Sequence, residues 1–421
     1  MPHAPTHALR LKPRDDSKDP CAERLILAAA EEIAGRGAGA VSARSVALAA
    51  GAAASAVNYN FGGIERLFSS AFAHGVLASG EWMQAREREI EALPRTARGA
   101  ALALEHVIAA WTGEARSLAL LYQEALAAGA GSGAAADWTG LWRDFWLRAA
   151  GVFGLGQAEG RLMHLFFESE ALYNLSTWSP ALERAAQREM CDHLAAVWLG
   201  AEPVASTGAL ELAERAAGVL REGAVAPSAV KIVEAAAALV EEGGLGALTH
   251  RAVAARAGVT TGSVTHHFRT VEDLVAGMIR GQVSAMERTG ADGVPRPRVP
   301  AAAIGSVDGL FDAIGDYVVT DRPWGPALRR RRLFLAAIRR PELAGAGAVI
   351  RFAHGGTVGE ALDRLFEIPP GQESLYAGVL SRLIAASWFA CSADPDPRAQ
   401  QTALVAEVKG GIVRGLPPRR G

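Results

Sequence analysis

The chain has 421 residues, 50% apolar and 21% charged, an ordinary globular balance in a length that fits two to four domains, each able to bury a core. Its formal net charge of −2 and pI near 6.6 give no whole-chain sign of nucleic acid, so any such signal must be local. No apolar run reaches the roughly 18–20 residues of a membrane span, which argues against a membrane partner, and Cys21, Cys191 and Cys391 form neither a metal knuckle nor a disulfide framework and fit a reducing cytoplasm.

In chain order, residues 1–19 read as a polar, disordered tail without the apolar core of a signal peptide; the alternative for its Arg10, Lys12 and Arg14 is an arm that reaches a groove. Leu25, Ile26, Ala29, Ala30 and Ile33 then recur along one helical stripe, and Gly37 stands where a left-handed cap would end that helix. Ser42 can N-cap a second helix over about 43–50. Ala50-Gly51-Ala52 makes a tight turn, and a third helix over about 54–60 is closed by Phe61. A helix-rich stretch follows, broken at Gly200-Ala201-Glu202-Pro203; residues 210–221 read as a connecting helix, and a further break falls over 223–228. The opening pattern then returns. Ile232, Val233, Ala236, Ala237 and Val240 form the stripe, Gly244 the cap, Thr249 the N-cap, 250–257 the second helix and 261–267 the third, closed by Phe268. A second helix-rich stretch runs to 416, with a proline-containing loop at 291–300.

The return is a repeat. Residues 24–68 overlay 231–275 without a gap at an offset of 207, with 15 of the 45 pairs identical. Two short helices joined by a small turn containing glycine are the helix-turn-helix signature, whose second helix enters a DNA major groove. Both copies resemble the N-terminal DNA-binding domain of TetR-family bacterial transcriptional regulators. The second matches that family's pattern at Thr249, Arg251, Val253, Ala254, Ala257-Gly258-Val259-Thr260, Gly262, Val264, His267-Phe268, Glu272 and Leu274. The first matches at Ser42, Arg44, Val46, Ala47, Ala50-Gly51, Tyr59, Phe61, Glu65 and Leu67. It departs at Ala53, where the family places a capping Ser or Thr, and at Asn60; the second departs at His266. Ile64 and Val271 stand where the family usually has Lys, which removes a phosphate contact from each copy.

Local charge agrees with the resemblance. Residues 249–269 hold Arg251, Arg256, Arg269, His250, His266 and His267 and no acid; residues 42–63 hold Arg44 and no acid. An acid-free face is what approach to phosphates requires. The expected DNA-binding residues are Ser42, Arg44, Ser55, Asn58, Tyr59 and Asn60 in the first copy, and Thr249, His250, Arg251, Thr260, Thr261, Ser263, Thr265, His266 and His267 in the second, with Val57 and Val264 turned into the core.

The resemblance implies an all-α fold of two TetR-like units, each a three-helix DNA-binding domain followed by a helical ligand-binding and dimerisation bundle. The divisions are a tail at 1–19, DNA-binding domain 20–66, regulatory domain 67–200, linker with helix 201–227, DNA-binding domain 228–273 and regulatory domain 274–416. Residues 161–173 and 374–388 are the candidate helices that pack the halves together. Trp138, Leu141, Trp142, Phe145, Trp146 and Ala149 form an aromatic-rich helical face that reads as core or interface. The alternative is a ligand cavity lined by Trp111, Tyr122, Trp142 and Trp146. His164 and His354 read as structural. Glu168 and Glu170, two apart on different helix faces, are not an acid/base pair; with no phosphate loop, metal-binding His pair or nucleophile elbow, no enzyme, cofactor or metal is expected. The implied function is a regulator that binds double-stranded operator DNA as an intramolecular pseudo-dimer, with a homodimer of such chains as the alternative assembly, and acts as a repressor released by a small-molecule inducer. The competing reading is a helical interaction or ligand-sensing protein that kept the scaffold and lost DNA binding in one or both modules.

Overall fold

The computed structural model describes residues 20–129, 133–202, 204–221, 226–243, 247–286, 304–319, 325–352, 356–392, 394–414 and 416–419. The tail, Gly244, Trp324, His354 and the stretch 291–300 lie outside them. Among the described residues every named element is helical, as the apolar periodicity predicts, apart from a single bridge between Phe366 and Pro418.

The chain opens with α1 (Pro20–Arg36), whose Leu25, Ala29, Ala30 and Ile33 are buried along the predicted stripe. Next come α2 (Ala43–Ala49) and α3 (Ala56–Phe61), then the long α4 (Ile64–Glu91) that leads into the first bundle. That bundle contains α5 (Ala97–Thr112), α6 (Arg116–Gly129), α7 (Gly133–Val152), α8 (Gln157–Tyr173) and α9 (Pro180–Leu199). The connecting helix is α10 (Ala209–Arg221). The second half repeats the short-helix order in α11 (Val230–Gly243), α12 (His250–Ala257), α13 (Thr261–His267) and α14 (Val271–Met286). It continues through α15 (Val307–Val318), α16 (Gly325–Ile338), α17 (Ala344–Phe352), α18 (Gly356–Leu365), α19 (Glu373–Cys391) and α20 (Pro397–Ile412).

The two halves share one interior. A continuous apolar core runs from Leu25 on α1 to Ile412 on α20, and a second cluster around α11–α14 takes in Ala127, Leu172 and Tyr173 from the first half. As expected from 161–173 and 374–388, α8 packs lengthwise on α19, flanked by α9 and α20. By length and composition α19 could cross a membrane, but it is mostly buried among protein helices. Nor is α10 a free spacer: it lies against α9, α17 and α19. The Glu189 carboxylate accepts from Gly208 N and Leu210 N, both at 2.9 Å, and from Ser206 Oγ at 2.7 Å, which satisfies amides that a helix start leaves open.

Candidate nucleic-acid interface

The helix-turn-helix geometry follows from local chemistry in both copies. Ser42 caps α2 by accepting from Ser45 N at 3.1 Å, while Ser45 Oγ accepts from Ser42 N at 3.0 Å. Thr249 caps α12 by accepting from Ala252 N at 3.1 Å. Gly51 (φ 62°) and Gly258 (φ 67°) take the left-handed turn that a side chain would strain. Val57 and Val264 are fully buried, so each third helix is pinned to its neighbours by its inner face.

The third helices of the two copies, α3 and α13, differ at their starts. Thr260 caps α13 by accepting from Ser263 N at 3.1 Å. In the first copy the N-cap position falls to Ser55, in right-handed helical conformation and with no side-chain cap bond. The helix therefore begins at Ala56 rather than near 54, because Ala53 offers no oxygen at the position where Thr260 supplies one.

Of the expected contact residues, Ser42, Arg44, Ser55, Asn58, Tyr59, Thr249, Arg251, Thr260, Thr261, Thr265 and His266 are exposed, Tyr59 at 86%. Several have side-chain atoms engaged within the protein. Asn60 is half-buried and donates through Nδ2 to Ala56 O at 2.9 Å, a bond back onto its own helix. Thr265 Oγ1 likewise donates to Thr261 O at 3.0 Å. His250 Nε2 lies 2.8 Å from Phe268 O, so this ring ties α12 to the end of α13 instead of standing free. Ser263 and His267 are half-buried.

The acid-free window also gains an acid in space. Arg256 meets Glu242 of α11 through Nη2–Oε1 at 2.7 Å and Nη1–Oε2 at 3.0 Å. Arg251 and Arg269 are the exposed cations left on that window. Sequence reasoning missed Leu48, which is 81% exposed one turn from Arg44, because a leucine on a short amphipathic helix reads as core.

Residues 232–278 match the family model described as bacterial regulatory proteins, tetR family. That segment is similar to the N-terminal segment of tetR-family bacterial regulatory proteins. It spans most of α11 and all of α12 and α13, and continues into α14 as far as Met278, so it falls on the second copy. No curated protein matches the chain.

Outside the TetR-type segment, the four candidate ligand-pocket residues pack as core. Trp111, Tyr122, Trp142 and Trp146 are all fully buried. Trp111 meets Trp142 edge-on at 4.9 Å, Trp142 stacks on Phe167 at 3.9 Å, and Tyr122 tilts against Trp138 at 5.2 Å. The rings fill one another's space. A small cavity of about 20 Å³ lies elsewhere, between α8, α16, α17 and α19, lined by Glu168, Tyr173, Arg331, Phe334 and Phe389 among others.

Glu168 and Glu170 have separate partners. Glu168 accepts from the Tyr122 hydroxyl and lies 3.5 Å from His164 Nε2. Burial first and the Glu168 charge second hold the Tyr122 phenol well above its ordinary value. Glu170 takes Arg351 Nη2 at 2.7 Å and Arg382 Nε at 3.1 Å. Burial pushes its pKa up, but the two guanidiniums outweigh that and hold it below the carboxylate range.

Proposed function

We propose that the chain is a TetR-type transcriptional regulator whose two units act as an intramolecular pseudo-dimer on double-stranded operator DNA, as a repressor released by a small ligand. The observation that carries this reading is the TetR-type segment with its capped α13 and the exposed Arg251, Thr261, Thr265 and His266 on a face without exposed acids of its own. The pairing of α8 and α9 with α19 and α20 supports the pseudo-dimer, because it covers from within one chain the bundle face that a second chain would otherwise cover. The cavity beside α16 has room for about one water and the aromatic cluster is filled, so the ligand part of this reading rests on the TetR resemblance alone. The uncapped α3 favours a second reading for the first unit alone, a scaffold with weak or no DNA contact. In this reading the regulator acts in the cytoplasm, at the nucleoid when bound.

Selection of duplexes from a random library tests the reading. We expect enrichment of two unequal half-sites centred about one helical turn apart, ~34–36 Å. Arg251→Ala should lower the slope of log affinity against log salt by about 0.9, and more than Arg44→Ala does. Light scattering should give a mass near one chain, 44.0 kDa. No enrichment at low salt removes the DNA-binding reading, and a concentration-independent two-chain mass removes the pseudo-dimer.

A further inference from the structure

Two consecutive arginines beyond the end of α16 reach both helix-turn-helix units. Arg339 belongs to the second half, yet its guanidinium lies at the C-terminal end of α1 in the first. Nη2 donates to Ile33 O at 3.3 Å and to Ala34 O at 3.2 Å, and Nε donates to Ala34 O at 3.4 Å. Both are last-turn carbonyls: Ala34 O is of the kind that helix geometry leaves open, Ile33 O also accepts from Gly37 N at 2.8 Å, and the helix dipole favours a cation beside them. The same Nη2 is 2.8 Å from Glu124 Oε1 on α6, and Glu124 Oε2 accepts from Ala38 N at 3.1 Å. One ion pair from outside the unit thus grips both sides of the chain reversal that leads from α1 to α2.

The reversal is shaped to admit the pair. Gly37 sits there with φ 84°, and a Cβ on it would come within 3.3 Å of Glu124 Oε1 and 3.4 Å of Arg339 Nη1. Both members are largely withdrawn from water, at 15% and 12% side-chain exposure. Arg340 turns the other way, its Nη1 lying 3.9 Å from Glu272 Oε1 at the start of α14, directly after the second recognition helix. The first half has no Arg or Lys between Arg116 and Arg143, so no cation from the end of α6 makes the reciprocal contact. The brace runs one way, from the second half to the first.

We infer that Arg339 is a positioning residue that sets the first recognition helix relative to the second, and through that the half-site spacing the chain accepts. A guanidinium suits the role because its planar fork binds two carbonyls and a carboxylate in one orientation, which an ammonium does not. The positional claim stands on the geometry, whereas the spacing claim rests on the DNA-binding reading above.

The test uses the full chain with Cys21→Ser and spin labels at Asn58→Cys and Thr265→Cys, both exposed positions, while Cys191 and Cys391 are buried. Pulsed electron paramagnetic resonance without DNA should give one narrow distance distribution for the wild-type clamp. Arg339→Ala should broaden it roughly twofold or more, with Arg339→Lys between the two. Affinities are measured on unlabelled chains that keep Cys21, Asn58 and Thr265, with the library-selected duplex remade with one base pair inserted or removed between its half-sites. The wild-type clamp should lose about tenfold in affinity and Arg339→Ala only about threefold, whereas a merely structural loss lowers affinity equally at every spacing. Thermal melts accompany each protein; if Arg339→Ala does not fold, the Lys variant carries the comparison. Identical distance distributions in the variants and the wild type overturn the inference. A changed distribution in the labelled chain, with no duplex retained by the unlabelled one, leaves the positional role standing and removes the DNA-binding reading.

Discussion

Thr260 and Ser55 show how much a single oxygen decides. Thr260 sits in extended conformation with its hydroxyl on Ser263 N, whereas Ser55 has already entered helical conformation and caps nothing. Thr260→Ala should therefore cost about 1 kcal/mol of local stability and Ser55→Ala close to nothing. Hydrogen exchange at the α13 and α3 amides reads the difference; equal losses would mean that both helices are held by packing alone. This contrast is legible in the sequence, because a cap acts over three residues. The fate of Asn60 is not, because an amide on a short helix can face a base or its own i−4 carbonyl, and only the coordinates show the latter. Arg256 is a similar case: its partner Glu242 is fourteen positions away on another helix.

Among the elements, α8 and α19 form the seam of the molecule. Ser169 Oγ donates to Arg382 O at 2.6 Å, and Glu170 takes both Arg351 from α17 and Arg382 from α19. Arg351 also faces Glu183 of α9 at 3.5 Å. In this cluster the carboxylates come from the first half and the arginines from the second, whereas at the start of α8 the polarity reverses, with Arg161 Nε donating to Glu407 Oε2 of α20 at 2.8 Å. Glu170→Gln leaves two buried guanidiniums short of a counter-charge and should cost about 3–5 kcal/mol, seen as a lower denaturation midpoint. Replacing Glu170, Arg351 and Arg382 together by apolar residues of similar volume should cost far less. A single and a triple variant of equal stability would show that the pairing carries no weight. The helices themselves are legible from periodicity, which shows that each has an apolar face to bury but not which helix covers it. The ionic content was missed, since Glu170 reads as one more surface carboxylate until Arg351 and Arg382, 181 and 212 positions away, are brought to it.

For the whole molecule, the half-buried Glu214 and the buried His193 shape stability against pH from opposite sides. Burial pushes Glu214 of α10 up from 4.5 to about 7, with Arg382 and Ser374 working against the rise. Between those values the folded chain holds a proton that the unfolded chain releases, so stability falls as pH rises through the window. Burial lowers His193 of α9 from 6.5 to about 4. There the unfolded chain binds a proton that the folded chain refuses, so stability falls as pH drops from 6.5 towards 4. Glu214→Gln should remove the first loss only: relative to wild type, its melting temperature should climb between pH 5 and pH 8. A constant difference across that range would place Glu214 in water.

What the sequence by itself determined is local or periodic. It contained the all-helical class, the 207-residue repeat, the caps at Ser42, Thr249 and Thr260, the glycine turns, and the inward Val57 and Val264, because caps, turns and stripes each act within a few residues or one helical turn. The tertiary structure decided which polar groups remain available and which are spent. It closed the aromatic face of α7 into packed core around Trp142, tied His250 to Phe268, paired Arg256 with Glu242, and carried Arg339 across 305 positions to the end of α1. Those outcomes depend on which helices become neighbours, and contacts between residues hundreds of positions apart leave no spacing pattern along the chain.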